Sequence, residues 1–168
     1  AIVPLSGGSN INLMRAESPG PSVGKLVPKV KHTARILYII YLGLSLIEFI
    51  ILLLAKMPVF DAMNTTFGTA GTGGFGIKNS SLGGYSVTIQ WIVTVFMILF
   101  GVNFNAYYLM LFGSIKKALT MEEVRAYFGI ILTSIVIITI NIYSMCSSVW
   151  DAITKSAFQV GSIITTTG

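Results

Sequence analysis

Twenty residues from Ile36 to Ala55 carry a single charged side chain, Glu48, and Lys56 closes the run. Wound as a helix, such a run matches the ~30 Å hydrocarbon core of a bilayer, which leaves few folds open to the chain. Two further runs follow. Val87–Phe112 is apolar apart from Gln90, Asn103 and Asn105, and roughly Val124–Tyr143 forms the next. Charged residues make up 10% of the 168 residues, against about 25% in soluble domains. Run length and composition together predict an integral membrane protein built of helices.

Between the first two runs lies a stretch too polar to cross a bilayer. Pro58 and Asp61 suit a helix start, with proline in the first turn and an acid at the positive dipole end. Phe60–Thr69 therefore predicts a short helix of two to three turns. Gly71–Gly76 breaks it, and Lys78–Tyr85 is polar with a Gly83-Gly84 turn. After the third run, Trp150 reads as an interfacial aromatic, Asp151 as a second helix-start acid and Ala152–Ile164 as a second short helix. It ends in Thr165-Thr166-Thr167-Gly168. Placing Gly168 on Gly74 aligns Gly68–Gly74 with Ser162–Gly168. The unit of span, short helix, Gly/Thr turn and span is thus present once completely and once in part, and paired interruptions of this kind point to a transport site.

Physical chemistry explains those residue types. Unsatisfied carbonyls in lipid cost several kcal/mol each, so irregular backbone at membrane depth must be buried or line a wet cavity. Carbonyls aimed at a pore axis meet that demand by coordinating a dehydrated cation. Glycine permits unusual backbone angles, and threonine adds an oxygen without a charge. A ring of carbonyls around one ion needs about four such strands, and two are present, so the expectation is half a pore.

Charge sets the predicted orientation. Arg15, Lys25, Lys29, Lys31 and Arg35 precede the first run, and Lys116, Lys117 and Arg125 link the second to the third. The opposite side holds Lys56, Lys78 and Lys155. Eight against three puts Arg15–Arg35 and Lys116–Arg125 in the cytoplasm and the Gly/Thr turns outside. The net charge of +5 sits beside apolar runs and forms no basic–aromatic stripe, so no nucleic-acid partner is expected. One cysteine, Cys146, excludes an internal disulfide and a cysteine-cluster metal site. His32, the one histidine, lies in a basic flank at the membrane surface. So few charged groups assemble no nucleophile–base–acid set, and an enzyme is not expected. The N-terminus lacks the features of a signal peptide, and both ends read as cuts in something longer.

Other readings stand beside this one. Gly71–Gly76 resembles a glycine-rich nucleotide loop, but that motif should follow a strand and open a helix; a plain external loop is also open. Glu48 in mid-span reads equally as packing or as function. Asn103 and Asn105 read as bonds between helices, and Trp91, Tyr107 and Tyr108 as interface and packing aromatics.

Five segments in order, Arg15–Pro21 (RAESPGP), Phe60–Met63 (FDAM), Thr72–Phe75 (TGGF), Gly101–Phe104 (GVNF) and Phe158–Gly168 (FQVGSIITTTG), resemble the membrane subunit of Trk-type potassium uptake proteins, of the Trk/Ktr/HKT cation transporter superfamily. The resemblance implies an all-α membrane protein of potassium-channel type, with four span–re-entrant pore helix–span repeats around one pore. Residues 1–35 would then hold the end of one repeat and a cytoplasmic loop, 36–115 a complete repeat and 116–168 the start of the next. Gly74 and Gly168 would take the filter-glycine positions. Gly71, Thr72, Gly73, Gly74 and Phe75, with Thr165, Thr166, Thr167 and Gly168, would form two filter segments, and carbonyls of Thr72, Gly73, Gly74, Thr166, Thr167 and Gly168 would hold K+. No covalent cofactor is implied. The implied partners are the lipid bilayer, a second copy in a homodimer and a cytoplasmic nucleotide-binding regulatory subunit, with the protein in the inner membrane. The first and fourth filters, the gating loop and the pore arginine of the family fall outside this stretch, so it should not conduct alone. A non-conducting membrane anchor or interaction subunit is the alternative.

Overall fold

A computed structural model describes residues 30–78, 80–113 and 115–167, with side chains omitted at 30–34 and 112. Most of the expected cytoplasmic loop within residues 1–35, and Gly168 with it, lie outside the described residues. Among those described the chain is all helical. It divides into two compact units, one of Ala1–Gly43 with Val102–Tyr127 and one of Leu44–Gly101 with Phe128–Gly168.

Helix α1, Val30–Leu54, carries the first apolar run for 25 residues. It closes at Lys56, held at φ 65°, where the amides of Lys56 and Met57 turn back to Leu53 and Leu52 O. Pro58 then starts α2, Val59–Ala70, whose first turn holds Asp61. Twelve residues rise about 18 Å at 1.5 Å each, short of the bilayer core. A 3₁₀ turn at Ser81–Gly84 leads into α3, Val87–Gly101.

The second apolar run was expected as one span to Phe112. It is instead two helices, because Asn103 caps a new one: its Oδ1 accepts from Asn105 N at 2.9 Å and opens α4, Phe104–Phe112. Asn103 Nδ2 also donates to Glu123 Oε2, so both ends of the amide are used. A short α5, Ile115–Leu119, precedes α6, Glu122–Ile142, which has two acids in its first turn. Within this unit Val102, Ala106, Ala118 and Val124 form the buried core, flanked by Tyr107 and Tyr127.

After a 3₁₀ turn at Tyr143–Met145 comes α7, Val149–Ile164. It starts three residues before the predicted Ala152 because Ser148 caps it, accepting from Asp151 N at 3.1 Å. Two helices, Arg35–Leu54 and Glu122–Met145, are long and apolar enough to cross a membrane, and the α3–α4 pair makes a third if it is one span.

In the larger unit the usual order of burial is partly inverted. Glu48, Thr66, Thr69, Thr94, Thr154, Ser156, Ser162, Thr165 and Thr167 are buried, while Leu46, Ile47, Ile50, Leu54, Ile130, Leu132, Val136 and Ile140 are exposed. Apolar outside and polar within is the arrangement lipid selects, since leucine gains nothing by leaving hydrocarbon. An apolar core remains where α1, α2 and α3 meet, at Leu52, Met57, Ala62, Ile89, Val93 and Met97.

Candidate functional site

The two Gly/Thr turns come together at one cleft. Gly68, Thr69, Gly74, Phe75 and Gly76 are among the residues that line it from the first turn and Phe158, Ser162 and Thr167 from the second, with Val93 and Met97 of α3 and Tyr85 also on the wall. Its volume is about 70 Å³, room for roughly five water-sized guests at ~15 Å³ each. All of these residues belong to the larger unit.

Both short helices end in the same bonds at the same aligned positions. In α2, Gly71 N donates to Phe67 O at 2.9 Å, Thr72 N to Thr69 O at 3.2 Å and Gly73 N to Gly68 O at 2.8 Å. In α7, Thr165 N donates to Gly161 O at 3.2 Å, Thr166 N to Ile163 O at 3.1 Å and Thr167 N to Ser162 O at 2.9 Å. This is the Schellman closure, in which the residue past the helix end turns left-handed and returns its amides to the last turn. Helix α1 closes the same way, so the motif is not peculiar to the turns. Their common register is the notable feature, because every donor and acceptor matches under the Gly74-on-Gly168 alignment made from sequence.

Threonine holds the left-handed position in both, at φ 49° for Thr72 and 55° for Thr166. A β-branched residue there is a steric outlier. Gly74 follows at φ 64°, where glycine pays no such penalty. A Cβ on Gly71 would sit 2.9 Å from the carbonyl oxygen of Phe67, which is backbone, whereas one on Gly73 would meet at 2.8 Å the exposed ring of Phe75, which can swing aside. In the second turn the hydroxyls are bonded to one another. Thr165 Oγ1 donates to Gly161 O at 2.7 Å. Its hydrogen being used, it accepts from Thr167 Oγ1, also at 2.7 Å.

The wall of the cleft carries no charged side chain, and no cluster of three His, Cys, Asp or Glu exists among the described residues. The donors on offer are backbone carbonyls and hydroxyls at the C-terminal ends of two short helices, where the helix dipole adds partial negative charge. Neutral oxygens of this kind suit a dehydrated monovalent cation; divalent ions in protein sites draw on carboxylates.

Three sets of contacts brace the segment between the first turn and α3. Tyr85 Oη donates to Asp61 Oδ2 at 2.5 Å, and partial burial together with that carboxylate pushes the phenol up to about 12. Lys78 Nζ stands 4.0 Å above the Tyr85 ring, and Gln90 Nε2 donates to the carbonyls of Leu82 and Tyr85 at 3.3 and 3.2 Å. Helix α7 is held to α3 by Trp91 Nε1 donating to Thr154 Oγ1 at 3.0 Å and by the stacked rings of Trp91 and Trp150, 5.6 Å apart. At the exposed start of α7, the hydrogen bond from Lys155, 2.8 Å away, holds the Asp151 carboxyl below the usual range.

Of the residues singled out from sequence, Gly74, Phe75 and Thr167 line the cleft, and Thr165 is buried beside it against Thr167. Gly71, Thr72, Gly73 and Thr166 build the closures and are exposed. Gly168 is not among the described residues. Sequence reasoning did not pick out Gly68, Thr69, Ser162 and Tyr85 as lining residues. The small side chains one turn before each closure were the available signal for the first three.

The chain matches the family model "TrkH: Cation transport protein" over residues 1–146. It is 35% identical over its whole length to the "Trk system potassium uptake protein TrkH" of Salmonella typhimurium, covering 36% of that protein. To TrkG of Escherichia coli it is 30% identical over 83% of the chain and 29% of the relative. To TrkI of Halomonas elongata it is 29% identical over the whole chain and 34% of the relative. The chain thus spans about a third of the length of the curated relatives it matches.

Proposed function

The chain belongs to the TrkH family of cation transport proteins, and we propose that it supplies two of four filter segments to a potassium-uptake pore. The observation that carries this reading is the convergence on one uncharged cleft of two turns closed by matching bonds. The relatives' own description as potassium uptake proteins supports K+ as the cargo, which is substrate and not a resident cofactor.

In this reading α2 and α7 are re-entrant pore helices whose C-terminal ends face the ion. Carbonyls of Thr72, Gly73 and Gly74, with those of Thr166, Thr167 and Gly168, strip water from K+ and replace it. The fixed left-handed turns keep the oxygens apart, so little reorganisation is needed when the ion enters. Two segments cannot encircle an ion, and the rest of the ring comes from sequence beyond this stretch. The turns open to the outer side, Lys116–Arg125 lies in the cytoplasm and the protein sits in the inner membrane. The complete protein pairs with a second copy and answers to a cytoplasmic nucleotide-binding subunit. The work is transport and no bond of the cargo is made or broken.

Rubidium uptake into potassium-transport-deficient bacteria tests the assignment. In the full-length protein Gly74→Ser should cut Rb+ uptake, or its preference over Na+, by about tenfold or more, the effect of some 1.4 kcal/mol lost at the site. Unchanged flux and preference at equal membrane abundance would overturn it.

A further inference from the structure

The chain that leaves the first turn reaches α3 through residues 76–86, where the 3₁₀ turn Ser81–Gly84 is the one regular element among the described residues. The backbone bonds here, Ser81 N to Lys78 O, Gly83 N to Ser80 O and Tyr85 N to Leu82 O, stay within the segment. They shape it without fixing where it lies, so side chains must do that. Their contacts meet on Tyr85. The phenol donates to Asp61 Oδ2 at 2.5 Å, the ring face carries Lys78 Nζ at 4.0 Å, and the carbonyl accepts from Gln90 Nε2 at 3.2 Å. The first of these reaches furthest along the chain, across 24 residues, and a hydroxyl donating to a carboxylate makes the stronger, charge-assisted kind of hydrogen bond.

We propose that Tyr85 is a positioning residue for the ion pathway, holding the first turn from its far end through Asp61. The role rests on the transport reading above, and the tie itself on geometry. Asp61 stands in the first turn of α2, and the other end of that helix makes the closure of the Gly/Thr turn. The bond from Tyr85 therefore closes a ring of helix, turn and following segment, with Gly74 in its span and Tyr85 on the wall of the cleft. The second turn is held differently. Extended without a gap, the alignment of the two turns sets Lys155 on Asp61. An ammonium accepts no hydrogen bond, and Lys155 is paired with Asp151 at 2.8 Å. The second turn is stiffened by its own hydroxyls, from Thr167 through Thr165 to Gly161 O. The positions aligned with Thr165 and Thr167 are Gly71 and Gly73, which have no hydroxyl to give. The first turn thus takes from Tyr85 and Asp61 a support that the second builds internally.

The test uses the full-length protein and Rb+ uptake with Na+ as competitor, at equal membrane abundance. Tyr85→Phe keeps the ring and removes the donor, and Asp61→Leu removes the acceptor. Each should lower the preference for Rb+ over Na+ about tenfold, the effect of some 1.4 kcal/mol. Because the two make one contact, the double variant should fall no further than the worse single one. Asp61→Asn keeps an oxygen that accepts from the phenol and should stay within about threefold of the wild type. Amide hydrogen exchange across residues 76–86 should quicken in Tyr85→Phe. Wild-type preference in Tyr85→Phe, with or without a lower melting temperature, would overturn the role, as would additive losses in the double variant. Equal damage from Asp61→Asn and Asp61→Leu would assign the effect to charge and overturn the tie, and unchanged exchange would do the same. Should the wild type take up no Rb+, the transport reading falls and exchange alone decides the tie.

Discussion

Thr72 and Thr166 are the residues where sequence and backbone disagree most. From sequence, glycine is expected to carry the unusual angles of the turns, and Gly74 does so at φ 64°. The first left-handed position in each turn is nonetheless a threonine. Sequence alone did not reveal this, because the requirement comes from the returning amides of Gly73 and Thr167 and not from local preference. A left-handed L-residue costs about 1–2 kcal/mol, and glycine costs about 0.5–1 kcal/mol in extra unfolded freedom. Thr72→Gly should therefore leave stability unchanged or raise it by up to about 1 kcal/mol, whereas Gly74→Ala should lower it by about 1 kcal/mol. Thermal melting of the detergent-solubilised full-length protein reads both, and a clear loss in Thr72→Gly would show that the hydroxyl or the branched side chain supports the turn.

Elements were legible where a pattern had length. The 20-residue run gave α1, and the Pro58/Asp61 start gave α2 to within a residue at each end. The break after Gly101 was not legible, because hydropathy runs unbroken through it and only the side chain of Asn103, read as a bond between helices, marks the new start. Asn103 does make such a bond, to Glu123, but its other atom caps α4. Trp91 was read as a packing aromatic, and its indole N–H proves to be what fastens α3 to α7 through Thr154. Between helices in lipid the hydrophobic effect supplies nothing, so a hydrogen bond and a ring stack are a large share of what holds such a pair. Trp91→Phe should cost about 1–2 kcal/mol. Hydrogen exchange in α7 should rise while α1 stays protected, and equal exchange in both helices would contradict this role.

At the scale of the whole molecule, the class was written in composition and in the inverted burial it produces. The site was legible only in part, because a cleft is made by segments far apart in sequence. Gly74 and Thr167 could be paired through the alignment of the two turns, but the approach of Phe158 and Tyr85 to them depends on how α3 and α7 pack. Sidedness rests on charge alone and can be tested as such. With Cys146 replaced by serine, Lys78→Cys should react with a membrane-impermeant maleimide added to intact cells, and Lys116→Cys should react only after permeabilisation. The reverse pattern would invert the protein and place the turns on the cytoplasmic side.

The central claim is that the two turns hold the ion. Anomalous diffraction from Rb+ in crystals of the full-length protein measures that directly. A peak is expected among the carbonyls of Thr72–Gly74 and Thr166–Gly168, lost in Gly74→Ser; Rb+ bound elsewhere in the pore, with none between these turns, would contradict a filter built from them.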